Sequence, residues 1–118
     1  MRIIIVREPV AAEEVRELAK DIYRDMVKGV ADIEKGIIAH GGEWHADANN
    51  ELLREGSGQP ELWGFNLYPE RRGDDALEYV SLINIRPAQG NRDMELKDEE
   101  TRRRIRAILE KLIPELFV

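Results

Sequence analysis

The chain has 118 residues and no cysteine, with 42% hydrophobic residues, 36% charged residues and a formal net charge of −6. This length fits a single domain over residues 1–118 with a core of its own, and the composition is that of a folded chain. The missing thiols exclude disulfides, iron–sulfur clusters and cysteine zinc sites, and the acidic balance argues against a nucleic-acid partner.

Residues 2–6 read as a short apolar strand that ends at Arg7-Glu8-Pro9, because proline lacks the ladder donor. Its run Ile3-Ile4-Ile5-Val6 is too short for a signal sequence or a membrane span, so a cytoplasmic protein with no membrane partner is expected. With no polar face, this strand is expected inside the sheet. From residue 11 to about 24, Val15, Leu18, Ala19 and Ile22 recur at helical spacing, with Glu13 and Glu14 in the first turn. Val27 to Ile33 and Ile37 to Ala39 form a β-hairpin around Lys35-Gly36. A two-residue loop there pairs Glu34 with Ile37, and a bulge at Gly36 shifts the pairing by one.

Asp47 to about Arg54 reads as a short helix ended by Gly56-Ser57-Gly58. Leu62 to Tyr68 alternates, with Trp63, Phe65 and Leu67 on one face and Gly64, Asn66 and Tyr68 on the other. Leu77 to Arg86 is expected as a second alternating strand, with Asn84 and Arg86 sharing a face. Asp98 is an N-cap for a last helix whose stripe is Ile105, Ile108, Leu109, Leu112 and Leu116, and Pro114 ends or bends it. The expected fold class is α+β, in the order β-α-β-β-α-β-β-α. The sheet is mixed or antiparallel, with the helices on one face. The first six elements follow a ferredoxin-like order, and no G-x-G-x-x-G marks a dinucleotide fold.

Function is sought on the open sheet face. Asn66 and Tyr68 on one strand and Asn84 and Arg86 on the next would place two amides, a phenol and a guanidinium together. Arginine offers a rigid fork for a carboxylate or phosphate, and the asparagines would orient it. A solvated face with Arg86 paired to Glu78 or Asp32 is the plain alternative. Within Gly41-Gly42-Glu43-Trp44-His45-Ala46-Asp47, an extended chain would put Glu43 and His45 on one face. His45 would then move a proton and Glu43 would fix its tautomer or act as base. A divalent metal held by Glu43, His45 and Asp47 is a further alternative, although no cofactor is required. His45 also reads as structural, and Asp47 as a helix cap. Asp32 and Glu34 read as a solvated hairpin tip, and Gly90-Asn91-Arg92 as a turn or a small anion nest with Asn91 at the rim. Arg102-Arg103-Arg104 with Arg106 reads as an ion-paired helix surface.

Four blocks together resemble those of a family of small prokaryotic proteins of unknown function. They are Asp32-Ile33-Glu34-Lys35-Gly36, Gly41-Gly42-Glu43-Trp44-His45-Ala46-Asp47, Leu62-Trp63-Gly64-Phe65-Asn66-Leu67-Tyr68-Pro69 and Ile83-Asn84-Ile85-Arg86-Pro87-Ala88-Gln89-Gly90-Asn91-Arg92. The resemblance covers nearly the whole chain and implies one domain without assigning chemistry. Trp44 stands where that family pattern leads us to expect an aliphatic residue, and Ala11 where it leads us to expect a serine cap.

The functional expectation is a small polar or anionic ligand, either bound or bound and hydrolysed, by His45, Glu43, Asn66, Asn84, Arg86 and Asn91. The alternative is a non-enzymatic homodimeric interaction or assembly module.

Overall fold

The computed structural model describes residues 2–118. In chain order the main elements are β1 (Ile3–Val6), α1 (Ala12–Ala19), β2 (Val27–Asp32), β3 (Ile37–Gly41), α2 (His45–Arg54), β4 (Leu62–Leu67), β5 (Leu77–Glu78) and α3 (Glu99–Leu112). The expected α+β order and sheet type are both present. The strands form one sheet in the order β1-β3-β2-β4-β5, and every pairing is antiparallel.

The strict period of two sorts each strand into two cores. Val27, Ala31, Ile38, Trp63, Phe65 and Leu67 pack under α1 and α3. Val30, Ala39 and Leu62 pack under Ala48 and Leu52 of α2, with Ile3, Ile5 and Ile83 against them. The helices therefore occupy both faces, not one, and Ile83 lies on the face opposite Phe65. Handedness explains the split. β1 and β2 are parallel with β3 between them, and β3 and β4 are parallel with β2 between them. Both crossovers step the same way across the sheet, but they start from antiparallel strands. Two right-handed crossovers of this kind place their helices on opposite faces. Since β4 joins β2 rather than β1, the topology also departs from the ferredoxin-like arrangement.

Several other expectations are corrected. β1 is an edge strand; its apolar alternation reflects one side under α2, with Ile4 exposed on the other. Helix α1 stops at Ala19. Beyond it Arg24 adopts a left-handed backbone (φ 71°) and its N–H bonds back to Ala19 O at 2.7 Å. Asp21 is drawn outward by the Arg2 guanidinium at 3.0 Å. The hairpin pairs Asp32 with Ile37, so residues 33–36 form a four-residue loop. Asp32 dictates that loop. Its Oδ1 accepts from the Glu34 and Lys35 N–H groups, each at 2.9 Å, and its Oδ2 accepts from the Ser57 hydroxyl at 2.6 Å. Asp32 is thus buried rather than solvated.

The long strand over residues 77–86 does not form; only Leu77 and Glu78 pair with β4. Ser81 and Asn84 satisfy the backbone with their side chains instead, which is how such residues compete with a ladder. Ser81 Oγ accepts from Ile83 N at 3.1 Å and opens a single 3₁₀ turn, Leu82–Asn84. The Asn84 amide then meets both backbone groups of Gly64, donating to its oxygen at 3.0 Å and accepting from its N–H at 2.8 Å. One side chain thereby replaces a stretch of strand at the β4 edge.

Close packing across the sheet centre is set by Gly29, where a Cβ would lie 2.4 Å from Phe65 Cζ. Gly29→Ala is expected to force that buried ring off its position and to cost about 1–3 kcal/mol. Urea denaturation checks this, and an unchanged midpoint would contradict the packing described.

Candidate functional site

The site begins where β3 ends. Gly41 and Gly42 have left-handed φ values of 106° and 86°. A Cβ on Gly41 would fall 2.1 Å from Arg2 O, so only glycine fits the turn. The turn lifts the chain off the sheet edge. Trp44, still extended at φ −125° and ψ 148°, precedes the first helical residue, His45. The expected extended run through His45 therefore breaks, and Glu43 and His45 do not share a strand face. Trp44 has no side-chain acceptor, so the start of α2 is capped from inside. The Asp47 carboxylate accepts from the Trp44 N–H at 3.0 Å.

His45 is buried beneath this first turn, with its Nε2 2.8 Å from Phe65 O. A carbonyl only accepts, so Nε2 carries the proton and Nδ1 keeps its lone pair. Burial pushes the imidazole pKa down to about 4, outweighing the Phe65 carbonyl that favours the charged form; the nearby Lys28 charge lowers it further. His45 is therefore neutral near pH 7. Glu43 is exposed, and its backbone oxygen accepts from the Tyr23 hydroxyl.

A cavity of about 340 Å³ opens between the start of α2 and the segment after β5. Lys28, His45 and Asn66 line it, and Trp44, Leu82 and Met94 form its apolar rim. Lys28 and Asn66 are direct cross-strand partners on the α2 face. The Lys28 ammonium lies 5.3 Å from the Tyr23 ring centroid and 5.7 Å from that of Trp44. Lys20 and Lys97 form ion pairs, whereas Lys28 has none among the described residues. The Asn66 Nδ2 group donates to Glu78 at 3.2 Å, and its Oδ1 is buried without a partner.

The remaining expected site residues lie elsewhere. Asn84 is fully buried and bound to Gly64. Arg86 donates to Gln59 O at 2.7 Å and to Leu62 O, and its guanidinium stacks 3.7 Å from the Trp63 ring centroid. Burial lowers its pKa, and the two carbonyls and the ring take the place of a carboxylate partner. Asn91 donates to the backbone oxygens of Asn84, Asp93 and Glu95 at 2.8, 2.9 and 3.1 Å, and accepts from Lys97 N at 3.1 Å. None of the three lines the His45 cavity. Nor do Glu43, His45 and Asp47 form a metal-ligand set: among the described residues no group of three His, Cys, Asp or Glu side chains is placed to hold an ion.

Sequence reasoning missed Lys28, Trp44 and Met94. Lys28 carried a signal, as the one charge between Val27 and Ala31 in a strand of otherwise small or apolar residues. Met94 carried none, since it lies outside every expected element. A larger depression, about 680 Å³, lies beside the start of α3. Two of its three charged side chains are already engaged: Lys97 pairs with Asp93 at 2.9 Å, and Asp98 accepts from Thr101 N at 2.9 Å. The α3 arginines are likewise ion-paired, Arg103 to Glu100 at 2.7 Å and Arg106 to Glu110 at 2.8 Å.

No helix among the described residues is long and apolar enough to cross a membrane. Comparison with known proteins found no match among curated proteins and none among solved structures. A family model described as "Protein of unknown function (DUF5674)" matches residues 4–112. With nearly its whole length matched, the chain belongs to this family of proteins of unknown function.

Proposed function

We propose that this protein binds a small anion with an apolar body, in the cavity between the start of α2 and the segment after β5. One observation carries the reading: an unpaired lysine, Lys28, lines a mostly apolar hollow of about 340 Å³. That volume is typical of small-ligand pockets, in which a few polar groups orient a ligand held mainly by apolar walls. The first turn of α2 faces the same space, where the helix dipole favours negative charge. Binding fits better than hydrolysis, because the His45 proton is committed to the Phe65 carbonyl and its neutral ring is a weak base. The acidic balance and the ion-paired α3 arginines favour a small molecule over nucleic acid. The blocks around Gly41–Asp47 and Leu62–Pro69 contribute cavity residues, so we read them as the functional signature of the family.

The test is isothermal titration with 3-phenylpropionate and octanoate, using acetate as the control without an apolar body. The wild type is expected to bind the first two and not acetate. Lys28→Met keeps the side-chain stem and removes the charge; affinity is expected to fall about tenfold or more, as for loss of a charge-assisted contact. Equal binding by Lys28→Met, or loss of binding in Arg86→Met at unchanged stability, would refute this site.

A second reading rests on the rim, where Trp44 is 57%, Leu82 66% and Met94 42% exposed. Such clustered apolar exposure also suits a homodimer in which a second copy covers the mouth. Light scattering separates the two readings: a dimer that dissociates in Leu82→Ser and excludes 3-phenylpropionate would favour assembly.

A further inference from the structure

His45 and Lys28 line the same cavity, and two acceptors border the imidazole. Phe65 O lies 2.8 Å from Nε2 and takes the one N–H of the neutral ring. The other acceptor is Asn66 Oδ1. The Asn66 Nδ2 group donates to the Glu78 carboxylate at 3.2 Å, and a carboxylate can only accept, so the amide orientation is fixed. Its Oδ1 is thereby turned away from Glu78 and lies by the His45 ring, where it is buried with no donor. A neutral imidazole has one N–H and an imidazolium has two. The ring therefore sits among one more acceptor than its neutral form can serve. Burial keeps the second proton off, against the pull of the Phe65 carbonyl, and the Lys28 charge helps to do so. Lys28, from β2, is the one charged side chain sharing the cavity with His45; β4 presents Phe65 O and Asn66, and the segment after β5 and Met94 present neutral groups. On the helix itself Asp47 is turned to the Trp44 N–H, Glu43 before it is exposed, and Glu78 lies beyond the Asn66 amide.

We propose that the anion enters this cavity together with one proton, which His45 holds as an imidazolium for as long as the ligand stays bound. This deepens the anion reading above and rests on it. A bound anion neutralises Lys28 and adds a negative charge within the same walls; an opposite charge within about 4–6 Å favours the charged form of a group by roughly one to three pH units. The proton comes from solvent and adds to the free lone pair of the ring. The imidazolium then serves both Phe65 O and Asn66 Oδ1, and the proton returns to solvent when the anion leaves. Asn66 thus acts on His45 and makes no contact with the ligand. Coupling of this kind is reciprocal: the proton tightens the anion by the same factor as the anion tightens the proton. The cavity therefore fills more readily as pH falls.

The experiment is isothermal titration at pH 8 and pH 5.5, each in two buffers of different ionisation enthalpy, so that protons taken up on binding are counted. The probes are 3-phenylpropionate and 2-phenylethanesulfonate; the sulfonate stays ionised at both pH values, so any proton it brings goes to the protein. The free imidazole titrates at about 4. With a shift of about two pH units, the sulfonate is expected to bind about fourfold more tightly at pH 5.5 than at pH 8, with roughly 0.7 proton taken up per ligand at pH 5.5 and almost none at pH 8. His45→Gln keeps a donor for the Phe65 carbonyl but cannot take the charge, and its affinity should no longer rise in acid. The wild type alone gives a second reading that needs no variant: at pH 5.5 the His45 Cε1–H resonance should move to its imidazolium position as the sulfonate saturates the site. Binding that depends on Lys28 but takes up no proton, an uptake that persists in His45→Gln, or a His45 resonance that stays neutral overturns this inference and leaves the anion site standing. Failure of both probes at both pH values, or binding indifferent to Lys28→Met, overturns the anion site and the inference together.

Discussion

Asn84→Ala is expected to destabilise the protein by about 3–5 kcal/mol, a large share of a small domain's stability. The amide is fully buried and is the partner of both Gly64 backbone groups. Truncation leaves an orphaned N–H and an orphaned C=O at the β4 edge, each costing about 1–3 kcal/mol. It also frees the Leu82–Asn84 turn, which walls the cavity. Asn84→Asp discriminates further. A carboxylate can accept from Gly64 N but faces Gly64 O with a lone pair, so this variant should be nearly as unstable at pH 7. It should regain stability relative to wild type in acid, where the carboxylic acid can donate. Urea denaturation at pH 7 and pH 4 reads both effects. A loss under about 1 kcal/mol for either variant at pH 7 would show that Asn84 does not hold this edge.

Acid should destabilise the fold through two histidines before the carboxylates take part. Burial lowers the His40 pKa to about 4, and His45 is lowered to about 4 mainly by the same cause. Both folded values lie below the ordinary 6.5 of the unfolded chain. The unfolded state therefore binds the extra protons between these values, and stability rises with pH across that window and levels off above it. At about 1.4 kcal/mol per pH step, each histidine withdraws about 3 kcal/mol by pH 4. Depressed carboxylates such as Asp98, held down by Thr101, contribute only at lower pH, through their own lower values. Denaturation midpoints measured from pH 7.5 to 4.5 should fall steeply. His45→Gln retains a donor for the Phe65 carbonyl and should remove about half of the slope, as should His40→Leu. A flat profile in the wild type would mean that the imidazoles are not buried as described.

The legible parts of the sequence were those in which a period met a single environment. The alternation of Trp63, Phe65 and Leu67 against Gly64 and Asn66, and the Asp98 cap with its following stripe, were readable because local pattern and tertiary burial agree. The stretch from Val80 to Arg86 alternated just as cleanly yet forms no strand beyond Glu78. There the side chains of Ser81 and Asn84 compete with the ladder, and a polarity pattern does not register that competition. The same blindness affected the site. Arg86, Asn84 and Asn91 were noticed because their chemistry suits ligands, but their donors serve backbone groups exposed by an irregular loop. His45 and Asn66 do share a cavity, although the Gly41-Gly42 turn brings them together by starting a helix, not by extending β3. The placement of α2 on the opposite face depended on the β4–β2 pairing, a long-range choice that element order alone does not fix.

The most direct measurement is a ¹H–¹⁵N correlation spectrum titrated with 3-phenylpropionate. The Trp44 indole N–H, the Asn66 side-chain amide and the backbone amides of residues 45, 46 and 81–83 should shift together and saturably. The side-chain amides of Asn84 and Asn91 and the Arg86 region should stay nearly fixed. Shifts centred on Arg86 and Asn91, or no saturable shift at the cavity, would contradict the assignment of the ligand site.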